Sequence, residues 1–444
     1  MASKLERLAR LGSLTTKVGS SYLGQAVAGL FQGDEARKAA LDRTHRTNAE
    51  RIAGQLGQLK GAAMKVGQAI AQVSEGYGLP EEARAVLGKL HDRAEPVPFE
   101  DVKRRVETEL AGGIDTLFRS FDPEPVGTAS LGQAHAAELP DGTPVVVKVL
   151  HGGIEGSVGA DLAALKAMLQ AGRVIQRPKE EVDAIFAEVE ARLNEELDYR
   201  KEAANLVEFR EKLAGDPDVS IPRVFDGWST GKVLTMERLP GRPLSVFAAT
   251  APEAAKQRAG IALARTFLRM EYVLRAIHAD PHPGNYLFLP DGRVGILDFG
   301  CVRRFDLEWI AAYGECGIAT HDGDKEWCMD AALRIGALAN RSPEDEDVLW
   351  ELCRTIGRPF RDGPYTMGGP EDDVQDRITA LMPRVMAARA LRAPRELVFL
   401  HRALGGTYQI TKTFRARADW GAMFAEVVAI CHRDRDAARA AAST

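Results

Sequence analysis

The sequence predicts an α+β fold with two lobes, in which a small antiparallel sheet precedes a mostly helical half. Three observations support this prediction. Between residues 116 and 240, short runs of β-branched and aromatic residues alternate with turn signals, as is typical of strands. From residue 252 to about residue 432, apolar residues recur at helical spacing. Residues 278–300 combine a loop rich in proline and glycine with two short apolar runs.

Composition excludes one large class of partner. The chain has 444 residues with 58 basic and 63 acidic side chains, which gives a net charge of −5. A nucleic-acid-binding protein is expected to carry a basic balance or a basic face. We therefore expect no nucleic acid partner.

The cysteines and the hydropathy pattern indicate the compartment. All five cysteines lie in the C-terminal third and none forms a C-x-x-C pair, so neither zinc nor a disulfide framework is indicated. No run of about 18 apolar residues occurs, so no transmembrane helix is expected. We predict a cytoplasmic protein, with peripheral attachment to a membrane as an option.

Composition shifts divide the chain into four segments. Residues 1–115 are predicted to form a helical extension, and residues 116–240 a lobe built on the sheet. A helical insert at 152–177 interrupts that lobe. Residues 241–432 are predicted to be a helical lobe with breaks, and residues 433–444 a frayed polar tail.

The N-terminal extension contains two helical runs. The apolar pattern of residues 1–31 predicts an amphipathic helix with four basic residues and one acidic residue. A helix of this kind can bind to an anionic membrane surface. Two alternatives fit the same composition. The helix could dock on the rest of the protein, or the segment could be an organelle transit peptide. The second run, residues 46–75, contains Lys65 and Gln68 and several small residues that would allow close approach to another surface.

Five short strands are predicted in the sheet lobe, and together they form one antiparallel sheet. An Asp-Gly turn joins the second strand to the third. The predicted strands are Phe118–Phe121, Leu131–Leu139, Pro144–Leu150, Val224–Trp228 and Val233–Glu237.

Lys148 lies inside the apolar third strand, Val145-Val146-Val147-Lys148-Val149. A lysine in such a strand requires an anionic partner or an edge position from which it reaches solvent. In protein kinases a lysine at this position of a strand holds the α- and β-phosphates of ATP.

Residues 278–300 contain the side chains that phosphoryl transfer requires. Asp280 can accept or orient a proton, while Asn285 and Asp298 supply oxygen ligands for a hard cation. The spacing Asp-x4-Asn, followed after a strand pair by Asp-Phe-Gly, matches the catalytic loop and the metal loop of protein kinases. The alternative is a tight hairpin whose aspartates cap turns.

One long charged helix is predicted over residues 179–213. It contains Glu196, Asp198 and Glu202, and most charges on such a helix would face solvent. In kinases, the strand lysine pairs with a glutamate from the helix that follows the strand.

Four motifs together resemble the UbiB-type atypical protein-kinase-like family, over roughly residues 46–310. They are the K-x-G-Q element at Lys65-Val66-Gly67-Gln68, the loop ending Ala129-Ser130-Leu131-Gly132-Gln133-Ala134-His135, the E-x-D element at Glu196-Leu197-Asp198, and His278-Ala279-Asp280-Pro281-His282-Pro283-Gly284-Asn285 with Asp298-Phe299-Gly300. The resemblance implies a bilobal protein-kinase-like fold with a five-stranded sheet, a helical C-terminal lobe and an N-terminal extension that carries the K-x-G-Q helix.

The resemblance also implies a role for each motif residue. Lys148 would bind phosphates and pair with Glu202, Asp298 and Asn285 would hold magnesium, and Asp280 would be the base. Backbone groups near Glu237 and Leu239 would meet the adenine of ATP. The loop Gly127-Thr128-Ala129-Ser130 would lie at the phosphates, where the family usually has three alanines and a serine. Lys65 and Gln68 would belong to a lid, with Lys65 facing Glu196 or Asp198.

We predict from these residues an ATP- and magnesium-dependent atypical kinase or ATPase that serves ubiquinone or other isoprenoid-lipid metabolism. Its expected partners are ATP, an isoprenoid lipid or membrane surface, and lipid-biosynthesis enzymes. One alternative is a small-molecule phosphotransferase of the aminoglycoside- or choline-kinase type, which also uses an H-x-D-x-x-x-x-N loop. The other is a nucleotide-gated scaffold for lipid enzymes.

Overall fold

The computed structural model describes residues 96–128, 131–152, 179–361 and 363–442, together with residues 159, 162, 163 and 166. The predictions for residues 1–31 and 46–75, including Lys65 and Gln68, lie outside the described residues. The same is true of Ala129 and Ser130 in the predicted phosphate loop and of most of the insert at 152–177.

Helices and strands follow one another in a mixed order. The helices are α1 (Phe99–Glu109), α2 (Ile114–Leu117), α3 (Lys179–Glu196), α4 (Tyr199–Lys212), α5 (Leu244–Thr250), α6 (Glu253–Tyr272), α7 (Leu307–Asp322), α8 (Lys325–Arg334), α9 (Pro343–Ile356), α10 (Arg358–Arg361), α11 (Val374–Ala387), α12 (Arg395–Thr413) and α13 (Trp420–Ala442). The strands are β1 (Ser120–Thr128), β2 (Gly132–Glu138), β3 (Pro144–Leu150), β4 (Val219–Ser220), β5 (Val233–Glu237), β6 (Ala276–His278), β7 (Tyr286–Phe288), β8 (Val294–Ile296), β9 (Val302–Arg304), β10 (Tyr365–Thr366) and β11 (Arg417–Ala418).

The chain divides into two compact units. The first contains the described residues up to Lys201 and the segment Val224–Arg238. The second contains Glu202–Arg223 and the chain from Leu239 onward. The α+β class predicted from the sequence is therefore confirmed, with the main sheet in the first unit and most of the helices in the second.

The first unit is built on an antiparallel sheet with the order β1-β2-β3-β5. Along β3, the side chains of Val145, Val147 and Val149 are at most 1% exposed and pack with those of Val102 and Val106 of α1. Because strand side chains alternate between faces, Lys148 lies on the opposite face of the sheet from this core. The predicted periodicity of β3 is confirmed.

The sheet has four strands, so the prediction of a fifth strand at Val224–Trp228 was wrong. Val224 forms a single bridge to Met236, and the chain then turns through a short 3-10 helix at Asp226–Trp228. The Trp228 indole N–H donates to the carbonyl of Leu117 at 3.0 Å, while the Ser229 hydroxyl donates to the carbonyl of Phe225. These contacts stabilise a turn at the position where a strand was predicted.

The predicted single helix over residues 179–213 was also wrong, because it is divided at Leu197 and Asp198. α3 ends at Glu196 and α4 begins at Tyr199. The Asp198 carboxylate accepts a hydrogen bond from the backbone N–H of Arg200 at 3.1 Å, as an N-cap residue does. A capping bond of this kind competes with a continuous helix, so Glu196 and Glu202 lie on different helices.

The second unit contains small sheets between helices. β7 and β8 form an antiparallel hairpin whose turn contains Asp291 and Gly292, with Gly292 at a φ of +87°. β4 pairs in parallel with β8, and β6 pairs antiparallel with β9. The hairpin predicted on either side of Pro-Asp-Gly is confirmed. Helix α6 packs against β6 and β8, and α12 packs against β6.

The end of the chain differs from the prediction of a frayed tail at 433–444, because α13 continues to Ala442. The Arg435 guanidinium pairs with the Glu315 carboxylate at 2.6 Å, and both side chains are largely buried. Arg439 pairs with Glu308 of the same helix α7. These ion pairs attach the C-terminal segment to α7, although its sequence is polar. Within the part of the chain that the structure describes, no helix has the length and apolar character needed to cross a bilayer.

Candidate active site

The loop that follows β6 is held by backbone hydrogen bonds at both ends and within its turn. The Ala279 N–H donates to the carbonyl of Cys301 at 2.7 Å, which ties the start of the loop to the residue before β9. The His282 N–H donates to the Asp280 carbonyl at 2.7 Å, and the Asn285 N–H donates to the His282 carbonyl at 2.9 Å. Pro281 and Pro283 further restrict the backbone between them.

The side chain of Asn285 joins the two ends of this loop. Its amide nitrogen donates to the Asp280 carbonyl at 2.9 Å and lies 3.4 Å from the Asp280 carboxylate. The structure thus brings Asp280 and Asn285 together, as the sequence predicts. Because the amide nitrogen makes these contacts, the carboxamide oxygen Oδ1 is directed away from them and can act as a ligand for a cation.

Asp298 lies directly after a residue that is bonded to Asn285. The Leu297 N–H donates to the Asn285 carbonyl at 2.9 Å. The Asp298 carboxylate oxygen Oδ1 accepts a hydrogen bond from the Gly300 N–H at 2.9 Å. The three predicted residues Asp280, Asn285 and Asp298 therefore occupy one small region of the second unit.

Phe299 anchors the loop that carries Asp298. Its ring is fully buried and lies 4.5 Å, centroid to centroid, from the ring of Phe209 on α4. The Asn205 side chain, also on α4, donates to the Phe299 carbonyl at 2.9 Å. This packing fixes the backbone on both sides of Phe299, so Asp298 is held by a buried aromatic contact and by α4.

His278 is buried beneath the same region. Burial lowers the pKa of its imidazole, although the nearby carboxylates of Asp298 and Asp280 act in the opposite direction. Its Nε2 is hydrogen-bonded to the hydroxyl of Tyr286, and its ring lies 6.0 Å from that of Phe299. We conclude that His278 is neutral and stabilises the loop through its buried contacts with Tyr286 and Phe299.

Glu202 of α4 lies beside the metal loop. Its side chain is 5% exposed, and a Cβ on Gly300 would lie 3.8 Å from the Glu202 carboxylate. The residue is thus a buried acid in the second unit, near Asp298. Lys148 belongs to the first unit, so the predicted pair between Lys148 and Glu202 stays a prediction.

Helix α12 contributes two residues to this region that were not predicted. A Cβ on Gly406 would lie only 2.2 Å from Cγ of Pro281, so α12 packs directly against the loop after Asp280. Nη2 of Arg402 lies 3.7 Å from the Asp280 carboxylate, and both side chains are partly exposed. The only local signal was the pair Gly405-Gly406 inside a helical run, where glycine is unfavourable unless packing requires it.

In the first unit, Gly127 and Thr128 of the predicted phosphate loop are the last two residues of β1. Gly127 pairs with Ala134, and Thr128 pairs with Gln133, so both residues end β1. Among the described residues, no atom lies within 4 Å of a Cβ at Gly127. Lys148 of β3 pairs with the same residue, Ala134, so Gly127 and Lys148 lie on either side of β2 in one sheet.

Gln133 and His135 of the same motif support the hairpin from within. The Gln133 amide nitrogen lies 2.9 Å from Nε2 of His135, and its oxygen accepts from the Val97 N–H at 2.9 Å. Nδ1 of His135 lies 2.8 Å from the Asp122 carbonyl. Burial lowers the pKa of His135, so a neutral ring that donates from Nδ1 and accepts at Nε2 satisfies both contacts.

The remaining predicted residues lie at the ends of helices and strands or beside them. Asp198 caps α4 and lies near Gly231, where a Cβ would be 2.9 Å from its carboxylate. Glu196 ends α3. Glu237 is the last residue of β5 and pairs with Val145. Leu239 of the second unit is buried and packs against Gly295.

The donor set fits a hard divalent cation that is completed by phosphates. Asp298 and Asn285 offer carboxylate and carboxamide oxygens, which magnesium prefers over nitrogen or sulfur ligands. The described residues contain no group of three or more histidine, cysteine or acidic side chains that could hold a metal alone. Two protein ligands are too few for an all-protein magnesium site, but they suit an ion that also binds a nucleotide.

The chain is similar to known proteins over most of its length. The family description "ABC1 atypical kinase-like domain" matches residues 89–332. The mitochondrial atypical kinase COQ8 of Saccharomyces cerevisiae is 28% identical over 432 residues, covering 96% of this chain and 85% of that protein. The mitochondrial atypical kinase coq-8 of Caenorhabditis elegans is 26% identical, and the match covers 96% of this chain but 57% of the worm protein.

One solved protein structure is similar to this chain in both fold and sequence. The Mycobacterium tuberculosis protein Rv3197, determined in complex with erythromycin, superposes with a TM-score of 0.61 at 27% identity. The alignment covers 89% of this chain and 98% of the other.

Proposed function

Because this chain belongs to the ABC1 atypical kinase-like family, we propose that it uses ATP and magnesium as an atypical kinase or ATPase in ubiquinone or other isoprenoid-lipid metabolism. Family membership makes the chain a kinase-like phosphotransferase or ATPase, and it confirms the kinase-like fold expected from the motifs. The cofactors and the metabolic role are the parts that we propose.

One observation carries the proposal: a single hydrogen-bonded region holds Asp280, Asn285 and Asp298. Asn285 bonds to Asp280 through its side chain, and its carbonyl accepts from Leu297, the residue before Asp298. Such a region can orient a nucleophile on one side and a cation on the other. A hairpin whose aspartates only cap turns would not require the Asn285 side chain to bridge back to Asp280.

The chemistry follows from the roles of these three residues. When bound, magnesium would neutralise charge on the β- and γ-phosphates, and Asn285 and Asp298 would hold it. An acceptor hydroxyl or a water attacks the γ-phosphorus, and the bond from this phosphorus to the β–γ bridging oxygen breaks, so ADP leaves. The proton of the attacking oxygen passes to the Asp280 carboxylate, which Asn285 keeps in place.

Residues of the first unit would bind the nucleotide. We assign the α- and β-phosphates to Lys148, whose side chain lies on the sheet face away from the Val145, Val147 and Val149 core. The turn after Gly127 and Thr128 would approach the phosphates, and the backbone near Glu237 and Leu239 would meet the adenine. Glu202 would act as the acid that orients the lysine.

The metabolic assignment rests on the relatives and on the N-terminal sequence. The yeast and worm relatives are named mitochondrial atypical kinases. We propose an isoprenoid lipid or a membrane surface as the environment of the acceptor, and lipid-biosynthesis enzymes as partners. The proposed lid with Lys65 and Gln68, facing Glu196 or Asp198, would favour a small or lipidic acceptor over a protein.

The proposal is tested by measuring ADP release from ATP with Asp298→Asn. This variant keeps the size of the side chain but removes the charge that would bind the cation. We expect the parent to release ADP only with magnesium, and Asp298→Asn to release at least 100-fold less at the same magnesium concentration, which corresponds to about 2.7 kcal/mol.

A matched control is Asp376→Asn, which makes the same chemical change at an exposed position of α11. It should release ADP at the parent rate. If Asp298→Asn keeps the parent rate, Asp298 is not a metal ligand and the proposal fails.

A further inference from the structure

One face of α12 extends from the catalytic loop along the helix. Arg395, Phe399, Arg402 and Gly406 are spaced by four, three and four residues, which places them on a single side of a helix. At one end of this face Gly406 packs on Pro281. One turn before it, Arg402 lies at Asp280. The face therefore leads directly to the residue assigned as the base.

A third arginine joins this face from the neighbouring strand pair. Arg303 of β9 pairs with Ile277 of β6, three residues before Asp280. Its guanidinium carbon lies 4.9 Å from the centre of the Phe399 ring, and that of Arg395 lies 5.8 Å from the same ring. Three cationic side chains thus lie around Phe399 and Asp280.

Arg303 is incompletely satisfied in the structure. Its Nη1 donates to the carbonyl of Val302 at 3.2 Å, but its Nε is buried and has no hydrogen-bond partner among the described residues. A buried donor without a partner is costly, and it marks a position where an acceptor group would be stabilised.

The contact between Arg402 and Asp280 does not explain why an arginine is present. At 3.7 Å it exceeds hydrogen-bond length, and the side chains are 31% and 47% exposed. Ion pairs of this kind add little to stability. Asp280 is instead positioned by Asn285. Within the described part of the chain, Asp280 is the only ion-pair partner of Arg402, so most of its five donors remain available to a ligand.

We propose that Arg402 and Arg303 form a subsite for a phosphate group of the acceptor, so that an organic phosphate is favoured as acceptor over a neutral alcohol, with water accepting the phosphoryl group when no organic phosphate is bound. This inference rests on the proposed phosphotransferase function. The Asp280 carboxylate by itself would repel an anionic acceptor, and the arginines offset that repulsion. A guanidinium matches a phosphate with two parallel hydrogen bonds, which a neutral acceptor would not use.

The test uses inorganic phosphate as the probe, with the nucleotide site filled by magnesium and a non-hydrolysable ATP analogue. Phosphate binding is then titrated calorimetrically for the parent, Arg402→Gln, Arg303→Gln and Arg402→Lys. We expect saturable binding to the parent, at least tenfold weaker binding to either glutamine variant, and an intermediate affinity for Arg402→Lys. Lysine keeps the charge but loses the two-pronged geometry.

The matched control is Arg389→Gln, at an exposed arginine in the loop before α12. It should bind phosphate like the parent. The subsite is refuted if the parent shows no saturable binding, if Arg402→Gln binds as tightly as the parent, or if Arg389→Gln loses as much affinity. Melting temperatures of all variants identify any that fail to fold, and Arg402→Lys remains informative if Arg402→Gln is one of them.

Magnesium-dependent ADP release by the parent, measured on the same preparation, separates the two proposals. A parent that releases ADP but fails the phosphate titration refutes the subsite alone. A parent that binds phosphate at Arg402 but releases no ADP refutes the phosphotransferase function, and the assignment of the subsite to an acceptor fails with it.

Discussion

Gly406→Ala offers a sharp test of how α12 supports the catalytic loop. The added Cβ would lie 2.2 Å from Cγ and 2.8 Å from Cβ of Pro281, whereas real Cβ atoms essentially never approach closer than 3.0 Å. The side chain of Pro281 forms a ring with its own backbone nitrogen, so it cannot rotate away as a flexible side chain would. The loop or the helix must therefore move apart by at least about 0.8 Å, measured at the Pro281 ring.

The size of the effect follows from two opposing contributions. Overpacking of a tight contact typically costs about 1–3 kcal/mol of the free energy of unfolding. Alanine is favoured over glycine in a helix interior by about 1 kcal/mol, which offsets part of this cost. Asp280 is bonded to Pro281, so it would shift with the loop. A displacement of about 1 Å can reduce turnover about 100-fold.

The assay compares the rate of magnesium-dependent ADP release and the free energy of unfolding for Gly406→Ala and Gly405→Ala. Gly405 is the adjacent glycine of the same helix, and no atom of the described residues lies within 4 Å of a Cβ at that position. Gly405→Ala should stabilise the protein by up to about 1 kcal/mol and keep the parent turnover. Gly406→Ala should keep the fold and lose turnover by a factor of about 10–100.

The reasoning would be refuted if Gly406→Ala kept the parent turnover, because the loop could then move without disturbing the base. It would also be refuted if both alanine variants lost turnover equally, because the effect would then come from helix flexibility and not from contact with Pro281.

Two further predictions concern Lys148 and the buried acid Glu271. Magnesium and ATP should raise the melting temperature of Lys148→Ala by less than half the rise seen for the parent, and equal rises would place the phosphates away from this lysine. Burial raises the pKa of Glu271 to about 8, above its ordinary value of 4.5, so the folded state holds this proton more tightly than the unfolded chain does. The resulting stability is fully present below pH 4.5 and is lost as pH rises toward 8, by up to about 1.4 kcal/mol per pH unit. Glu271→Gln should flatten this decline in the free energy of unfolding between pH 5 and 8, and an identical pH dependence in both proteins would contradict the assignment.

Features set by neighbouring residues were predictable from the sequence. The hairpin of β7 and β8 follows from Asp291 and Gly292, because the glycine provides the positive φ and the Asp291 carboxylate accepts from the Arg293 N–H. The grouping of Asp280, Asn285 and Asp298 was predictable for the same reason, since one loop and one hairpin connect all three.

Features that depend on a single competing contact were not predictable. Glu196, Leu197, Asp198 and Tyr199 suit a continuous helix, and the break arises because the Asp198 carboxylate caps the following turn. The Val224–Trp228 segment has the composition of a strand, but contacts of Trp228 with Leu117 turn the chain before a ladder forms.

Arg402 and Gly406 could not be assigned from sequence because they lie more than 100 residues after Asp280. No sequence pattern near Gly406 relates it to Pro281. Only the fold shows that α12 and Pro281 are too close to leave room for a side chain at Gly406. Arg402 similarly reads as a solvent-facing arginine until the fold places it 3.7 Å from the Asp280 carboxylate.

The central claim is that Asp280 takes part in the transfer of phosphate from ATP, and single-turnover cleavage of radiolabelled ATP by the parent and by Asp280→Asn tests it most directly. We expect both proteins to bind magnesium and ATP with the same affinity, because Asp280 is assigned to the attacking oxygen and not to the nucleotide. The parent should cleave the γ-phosphate, and Asp280→Asn should do so at least 100-fold more slowly. Equal cleavage by both proteins, or tight ATP binding by a parent that never cleaves it, would contradict the claim.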